Sequence, residues 1–331
     1  MVQWEIKKMF KSKNGLFTLI LFFILSISMV FIKPQLEGVN DSKENSEGFI
    51  SVEEQFNKNL ELLKEVSESD GKVDFSNDLK EISNKKLSAI KFNEYKDIRF
   101  WKVFHHRAFH PFMTFIMLVI TVIIFSNIYT DEIISTVDNL ILTSRNKYKV
   151  LHSKLALSIV VPAILYTGYL IIQFIITYLQ YGKPINGDLQ ALRILDNPLL
   201  MKEAYTIYEF IFLKIGIMLL ILTTLGIFGV FFSFLTTNSI QSTSGFFIFI
   251  FLGKVMTLIK WLPSEVLMIF SKVNYIDLIF NFNEFAGMYS GRFRIFNLSL
   301  DITNVCLSFM IVIFVIGLFS CRSIFRKYLT R

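Results

Sequence analysis

A chain of 331 residues that is 53% hydrophobic and only 18% charged, with mean hydropathy +0.51, is too apolar for an ordinary water-soluble globule. Its net charge of +7 comes without a Lys/Arg block interleaved with aromatic residues, so the sequence gives no basis for a nucleic-acid surface. Cys306 in the last apolar run and Cys321 at its end stand fifteen positions apart on one predicted helix, about 22 Å along its axis, too far to bridge within the chain.

In chain order, Met1–Asn14 is short and basic (Lys7, Lys8, Lys11, Lys13), and Trp4, Ile6 and Phe10 fit a small interfacial amphipathic helix. Gly15–Ile32 is apolar throughout. The exit Phe31-Ile32-Lys33-Pro34 lacks a small-residue cleavage site, so residues 1–32 are expected to hold an uncleaved first transmembrane helix. Lys33–His110 differs in character, with 13 Lys/Arg and 15 Asp/Glu. Phe56, Leu60, Leu63 and Val66 recur at helical spacing, which predicts a small, mainly helical soluble domain over 33–110 behind a flexible Glu37–Gly48 linker. Its single weak apolar face is expected to pack on the membrane portion or on a partner. The stretch Phe100 to Arg107 reads as an aromatic and basic belt at a membrane surface. His106 and His110 stand at i,i+4, but no carboxylate or Cys follows at ligand spacing, and no metal site is expected.

Five further apolar runs follow in the 111–331 portion: 111–130, 155–178, 208–235, 240–262 and 302–320. Each approaches or exceeds the ~20 residues needed to span ~30 Å of hydrocarbon. Backbone groups inside lipid must be satisfied within the segment, so the predicted fold is all-α and polytopic with six transmembrane helices. Lys214 and Lys254 lie inside two of these runs and are expected to snorkel outward. Lys254, in the outer half of its helix, is the candidate for lining a substrate path. Val266–Phe270 and Ile276–Phe280 are apolar but too short to span, and read as re-entrant or interfacial helices before the last span. No Asp, Glu or His pair lies at membrane depth, so neither a proton relay nor enzyme chemistry is expected. Gly71-Lys72, Gly182-Lys183 and Gly253-Lys254 each lack the upstream Gly and following Ser/Thr of a phosphate loop, so no nucleotide cofactor is expected in this chain.

Lys and Arg counts set the expected orientation. Segments 1–14, 131–154 and 321–331 carry four each and 236–239 none, against three each in 181–207 and 263–301. Twelve against six predicts both termini in the cytoplasm of a multi-pass cell-membrane protein.

The segment 131–145 is the most informative. Thr130 or Asp131 suits a helix cap, and Asp131 and Glu132 suit its positive end. Ile133, Val137, Leu140 and Ile141 fall on one face, with Ser135, Asp138 and Asn139 opposite. A basic run from Arg145 to Lys154 follows. This predicts an amphipathic helix along the cytoplasmic face, its apolar side against the chain's own helix ends.

With Glu132, Ser135-Thr136, Leu140-Ile141-Leu142, Ser144-Arg145 and Lys154, the segment resembles the intracellular loop of type-2 ABC (ATP-binding cassette) transporter permeases, though Ser135 stands where Gly is commoner. Six helices, internal termini and a large outer insertion between helices one and two match a subset of that family. The resemblance implies that 131–145 is a coupling helix, with Asp131, Glu132, Ser135, Asp138, Asn139 and Arg145 meeting a separate ATPase. It further implies two ATPase copies carrying ATP-Mg, a second identical or related permease subunit, and export of a hydrophobic or amphipathic substrate such as an antimicrobial peptide. The alternative is a non-transporting membrane sensor, scaffold or immunity protein acting through residues 33–110.

Overall fold

The computed structural model describes residues 2–32, 34, 38–39, 49–50, 52–68, 74–90, 96–145, 147–195, 197–259, 261–295 and 298–329. Helix α1 (Val2–Lys11) turns at Ser12, whose hydroxyl accepts the Gly15 N–H at 3.0 Å, into α2 (Lys13–Phe31). Of the expected 37–48 linker only Gly38 and Val39 are described; as β1 (Gly38–Val39) they pair antiparallel with β2 (Phe49–Ile50). Helices α3 (Val52–Glu68) and α4 (Asp74–Ser88) form a hairpin, and α5 (Arg99–Ala108) leads to α6 (Pro111–Phe125). Pro111 starts α6, capped by the His110 ring accepting from Phe112 N–H.

Two short helices, α7 (Thr130–Ile134) and α8 (Val137–Thr143), precede α9 (Lys147–Tyr181). After a 3-10 turn at Ala191–Arg193, a capping box between Thr206 and Glu209 starts α10 (Ile207–Leu235). Asn238 caps α11 (Ser239–Met256). Helices α12 (Ser264–Val273), α13 (Tyr275–Phe280) and α14 (Phe282–Phe285) and the hairpin β3 (Arg292–Ile295)–β4 (Leu298–Asp301) lead to α15 (Ile302–Leu329).

Six stretches are long and apolar enough to cross a membrane: Lys13–Phe31, Arg99–Ile134, Lys147–Tyr181, Ile207–Leu235, Ser239–Met256 and Ile302–Lys327. The protein is thus a multi-pass, predominantly helical membrane protein. Helix α10 is central, packing on α6, α9, α11 and α15 and burying Met218, Ile221, Leu225 and Val230. Gly226 permits its closest approach to α9, because a side chain there would strike the Ser158 carbonyl. Helices α2, α11 and α15 expose Phe17, Phe23, Ile248, Phe251, Ile316 and Phe319, an outer surface suited to lipid and costly in water.

Two expectations are corrected. The third span starts before the expected residue 155: α9 begins at Lys147, since nothing from 147 to 154 breaks a helix. Phe100–Arg107 is not a surface belt. It forms α5, whose Phe100, Trp101, Phe104 and Arg107 are buried against neighbouring elements, with Phe174 of α9 among the packed rings. The fold is all-α as expected, with β1–β2 and β3–β4 as two small hairpins beside the helices.

Candidate functional site

The spans alternate in direction, so the bundle has two distinct ends. One end gathers α1, the 126–145 segment, the start of α9 and the C-terminal parts of α10 and α15. Ser233 Oγ accepts from the Tyr129 and Thr130 N–H groups, and the rings of Phe234 and Phe325 lie 5.8 Å apart.

At this end the expected single helix is broken. Thr136 adopts φ +60°, ψ 14°, separating α7 from α8 and re-aiming the second half. The expected single apolar face divides accordingly. Ile133 packs inward, whereas Leu140 is 71% exposed and Ile134 60% exposed, with Val137 also at the surface. Neither Thr130 nor Asp131 caps α7, because Tyr129 holds the cap position. Asp131, Ser135 and Arg145 are exposed and Asp138 is half-buried; the Asn139 side chain lies outside the described residues.

Glu132 departs most from its expected place on a partner-facing side. It is 1% exposed, and its Oε1 accepts from Lys8 Nζ at 2.7 Å and from Lys154 Nζ at 2.9 Å. Lys154, also 1% exposed, donates to the Ile128 carbonyl at 3.1 Å and lies 3.6 Å from Glu5 Oε2. Two acids and two bases thus tie α1, α7 and α9 together. The physical reason is that α9, extended back to Lys147, puts the Lys154 ammonium inside the bundle, where it requires a counter-charge. Glu5 carries a sequence signal of its own: it is the only acid among the first fourteen residues and stands one position from Ile6 and four from Met9, on the packed side of α1.

Comparison of the chain with protein-family models, with characterised proteins and with solved structures finds no match. The geometry itself therefore carries the functional argument.

The opposite end holds a second polar constellation. Lys214 does not snorkel. It is wholly buried, with Nζ 2.9 Å from His105 Nε2 and 2.8 Å from Asn283 Oδ1, and the Phe210 ring centroid 4.6 Å away. From the same helix as His105, Arg107 donates to Thr177 Oγ1, Gln180 Oε1 and the Val30 carbonyl, joining α2, α5 and α9. No sequence signal links His105, Lys214 and Asn283, which are brought together only by packing.

His105 and Asn283 also line a cavity of about 710 Å³ together with Lys102, His106, Lys272 and Glu284. Phe75 of α4 completes its wall, stacked on Tyr289 at 5.8 Å. The α3–α4 hairpin is fixed over this region. Asp78 pairs with Arg292 at 3.0 Å and accepts from the Tyr289 hydroxyl, Phe56 faces the Arg193 guanidinium at 4.1 Å, and Lys86 donates to the Pro198 and Leu199 carbonyls at 2.8 and 2.7 Å. Burial lowers the Lys86 ammonium from 10.5 to about 7. Burial, then the hydrogen bond to Asp78, pushes the Tyr289 phenol up.

Lys254 is paired with both carboxylate oxygens of Asp277, at 2.7 and 2.8 Å, and lines a smaller cavity of about 310 Å³ that shares Lys272 and Glu284 with the larger one. The rings of His106 and His110 meet at 5.1 Å, and no group of three metal-ligating side chains is present among the described residues.

Proposed function

We propose that this chain is the membrane-spanning subunit of an ABC exporter of the type-2 permease kind. The observation that carries the reading is the broken α7–α8 segment at one end of a six-span bundle, with Leu140, Ile134 and Val137 turned outward. Apolar side chains so exposed, beside Asp131, Ser135 and Arg145, suit a separate protein that covers them. In the family it resembles, the corresponding loop couples to an ATPase.

In this reading the α1/α7/α8 end faces the cytoplasm of the cell membrane, as the Lys/Arg count favours. The α3–α4 hairpin is then extracytoplasmic, and α12–α14 are re-entrant or interfacial helices on the outer side. Two copies of an ATPase carrying ATP-Mg, and a second permease subunit, complete the assembly. The Glu5–Lys154–Glu132–Lys8 network transmits movement of α7 to the long helix α9 and to α1. The cargo is hydrophobic or amphipathic.

The test is a detergent pull-down with wild-type chain and Leu140→Asp at equal expression, with bound proteins identified. A soluble ATPase recovered with wild type and reduced about tenfold by Leu140→Asp supports the docking surface, a loss in the range for one central apolar contact. Recovery of no ATPase, or equal recovery with both chains, sinks the reading and favours a non-transporting sensor or scaffold working through the α3–α4 hairpin.

A further inference from the structure

We infer that the 710 Å³ cavity beneath the α3–α4 hairpin binds a single-chain anionic amphiphile, its headgroup on the lysine-bearing wall and its chain along the apolar one. The volume lies within the range of about 300–1,000 Å³ typical of small-molecule sites. Phe75, Leu195, Leu200 and Met288 supply the apolar wall.

Among the described lining residues, Lys102 and Lys272 stand with one carboxylate, Glu284, and Lys214 lies one hydrogen bond behind the wall. Lys214 reaches two lining side chains, His105 and Asn283, and has no carboxylate within 4.0 Å among the described residues. Lys272 and Glu284 are in no ion pair with each other, so Lys272 is available to a headgroup. Asn197 and Ser290 add polar groups at the same wall. Glu284 disfavours a second negative charge near α14. The smaller cavity, which Lys254 lines, shares Lys272 and Glu284 with this one.

Binding of this kind needs no ATPase, so it is measured on the full-length chain in dodecyl maltoside micelles with radiolabelled dodecyl phosphate. The expected result is saturable binding of about one molecule per chain, weakened about tenfold by Lys272→Glu, which replaces an attraction with a repulsion. Ser290→Trp, which fills the cavity and keeps the lysines, weakens binding similarly. Displacement by excess dodecyl sulfate, with none by dodecyltrimethylammonium or inorganic phosphate, marks both headgroup sign and chain as recognised. Non-saturable uptake, or unchanged affinity in Ser290→Trp, overturns the assignment. So does equal displacement by the cationic amphiphile or by inorganic phosphate, the latter marking a simple anion site. Gel-filtration profiles matching wild type qualify each variant; if Lys272→Glu fails that check, Lys272→Met replaces it under the same criteria.

Discussion

Lys154 Nζ lies 2.9 Å from Glu132 Oε1, and each side chain is 1% exposed. Glu132 reaches the site from α7 and Lys154 from the second turn of α9, so one ion pair fixes the start of a long span against the segment that precedes it.

Removing one partner of a buried pair leaves an uncompensated charge, at a cost of about 3–5 kcal/mol. Glu132→Ala is therefore expected to lower the thermal midpoint of the detergent-solubilised protein clearly, because Glu5 at 3.6 Å is a poorer substitute. Glu132→Lys is expected to be worse still, setting three ammonium groups together. The double variant Glu132→Leu/Lys154→Met is expected to recover most of the loss. A double-mutant cycle with additive effects would show that the two residues do not depend on each other.

Lys86 gives a pH dependence of known sign. Burial depresses its folded value to about 7 from 10.5, so between those values the unfolded chain binds more protons than the folded one. Its contribution to stability accordingly rises with pH from about 7 to about 10.5 and is lost as pH falls to 7. Thermal midpoints measured across pH 7 to 9.5 are expected to climb less steeply for Lys86→Met than for wild type. Parallel curves would contradict the burial of this ammonium against Pro198 and Leu199.

Thr136 occupies the left-handed region at φ +60°, a conformation that costs a β-branched residue about 1 kcal/mol or more and a glycine almost nothing. Thr136→Gly is expected to preserve or raise stability, and Thr136→Val to keep the strain. If Thr136→Gly were clearly destabilising while Thr136→Val was neutral, the break between α7 and α8 would be misplaced.

Gly226 and Gly216 form a matched pair on α10. A methyl group at Gly226 meets the Ser158 carbonyl and the Pro162 ring, whereas one at Gly216 meets nothing within 4 Å. Gly226→Ala is expected to cost about 1–3 kcal/mol by forcing α9 and α10 apart. Gly216→Ala is expected to be neutral or stabilising by up to about 1 kcal/mol from helix propensity. Comparable melting of the two variants would refute the close approach.

The sequence by itself determined the six spans. Twenty-residue apolar runs admit one backbone solution in lipid, so α2, α6, α9, α10, α11 and α15 were legible, and the start of α10 was placed within one residue. The helix over Phe56–Val66 and the short helix α1 were legible for the related reason that periodicity of 3.6 is a local property. What only the tertiary structure decided is the fate of charge. Lys214 looks free to snorkel when a helix is considered alone, because stem length is all that a single segment reveals, and Lys154 reads only as the end of a basic run. Their partners, His105 and Asn283 for one and Glu132 and Glu5 for the other, lie 22 to 149 positions away and are chosen by which helices pack together. The same holds for the cavity, whose wall is assembled from α4, α5, α12, α14 and the 194–200 loop, no one of which carries a ligand signature of its own. Hydrophobic patterning fixes which segments are long and apolar enough to span a membrane; the pairing of buried polar groups depends on long-range contacts that no local pattern encodes.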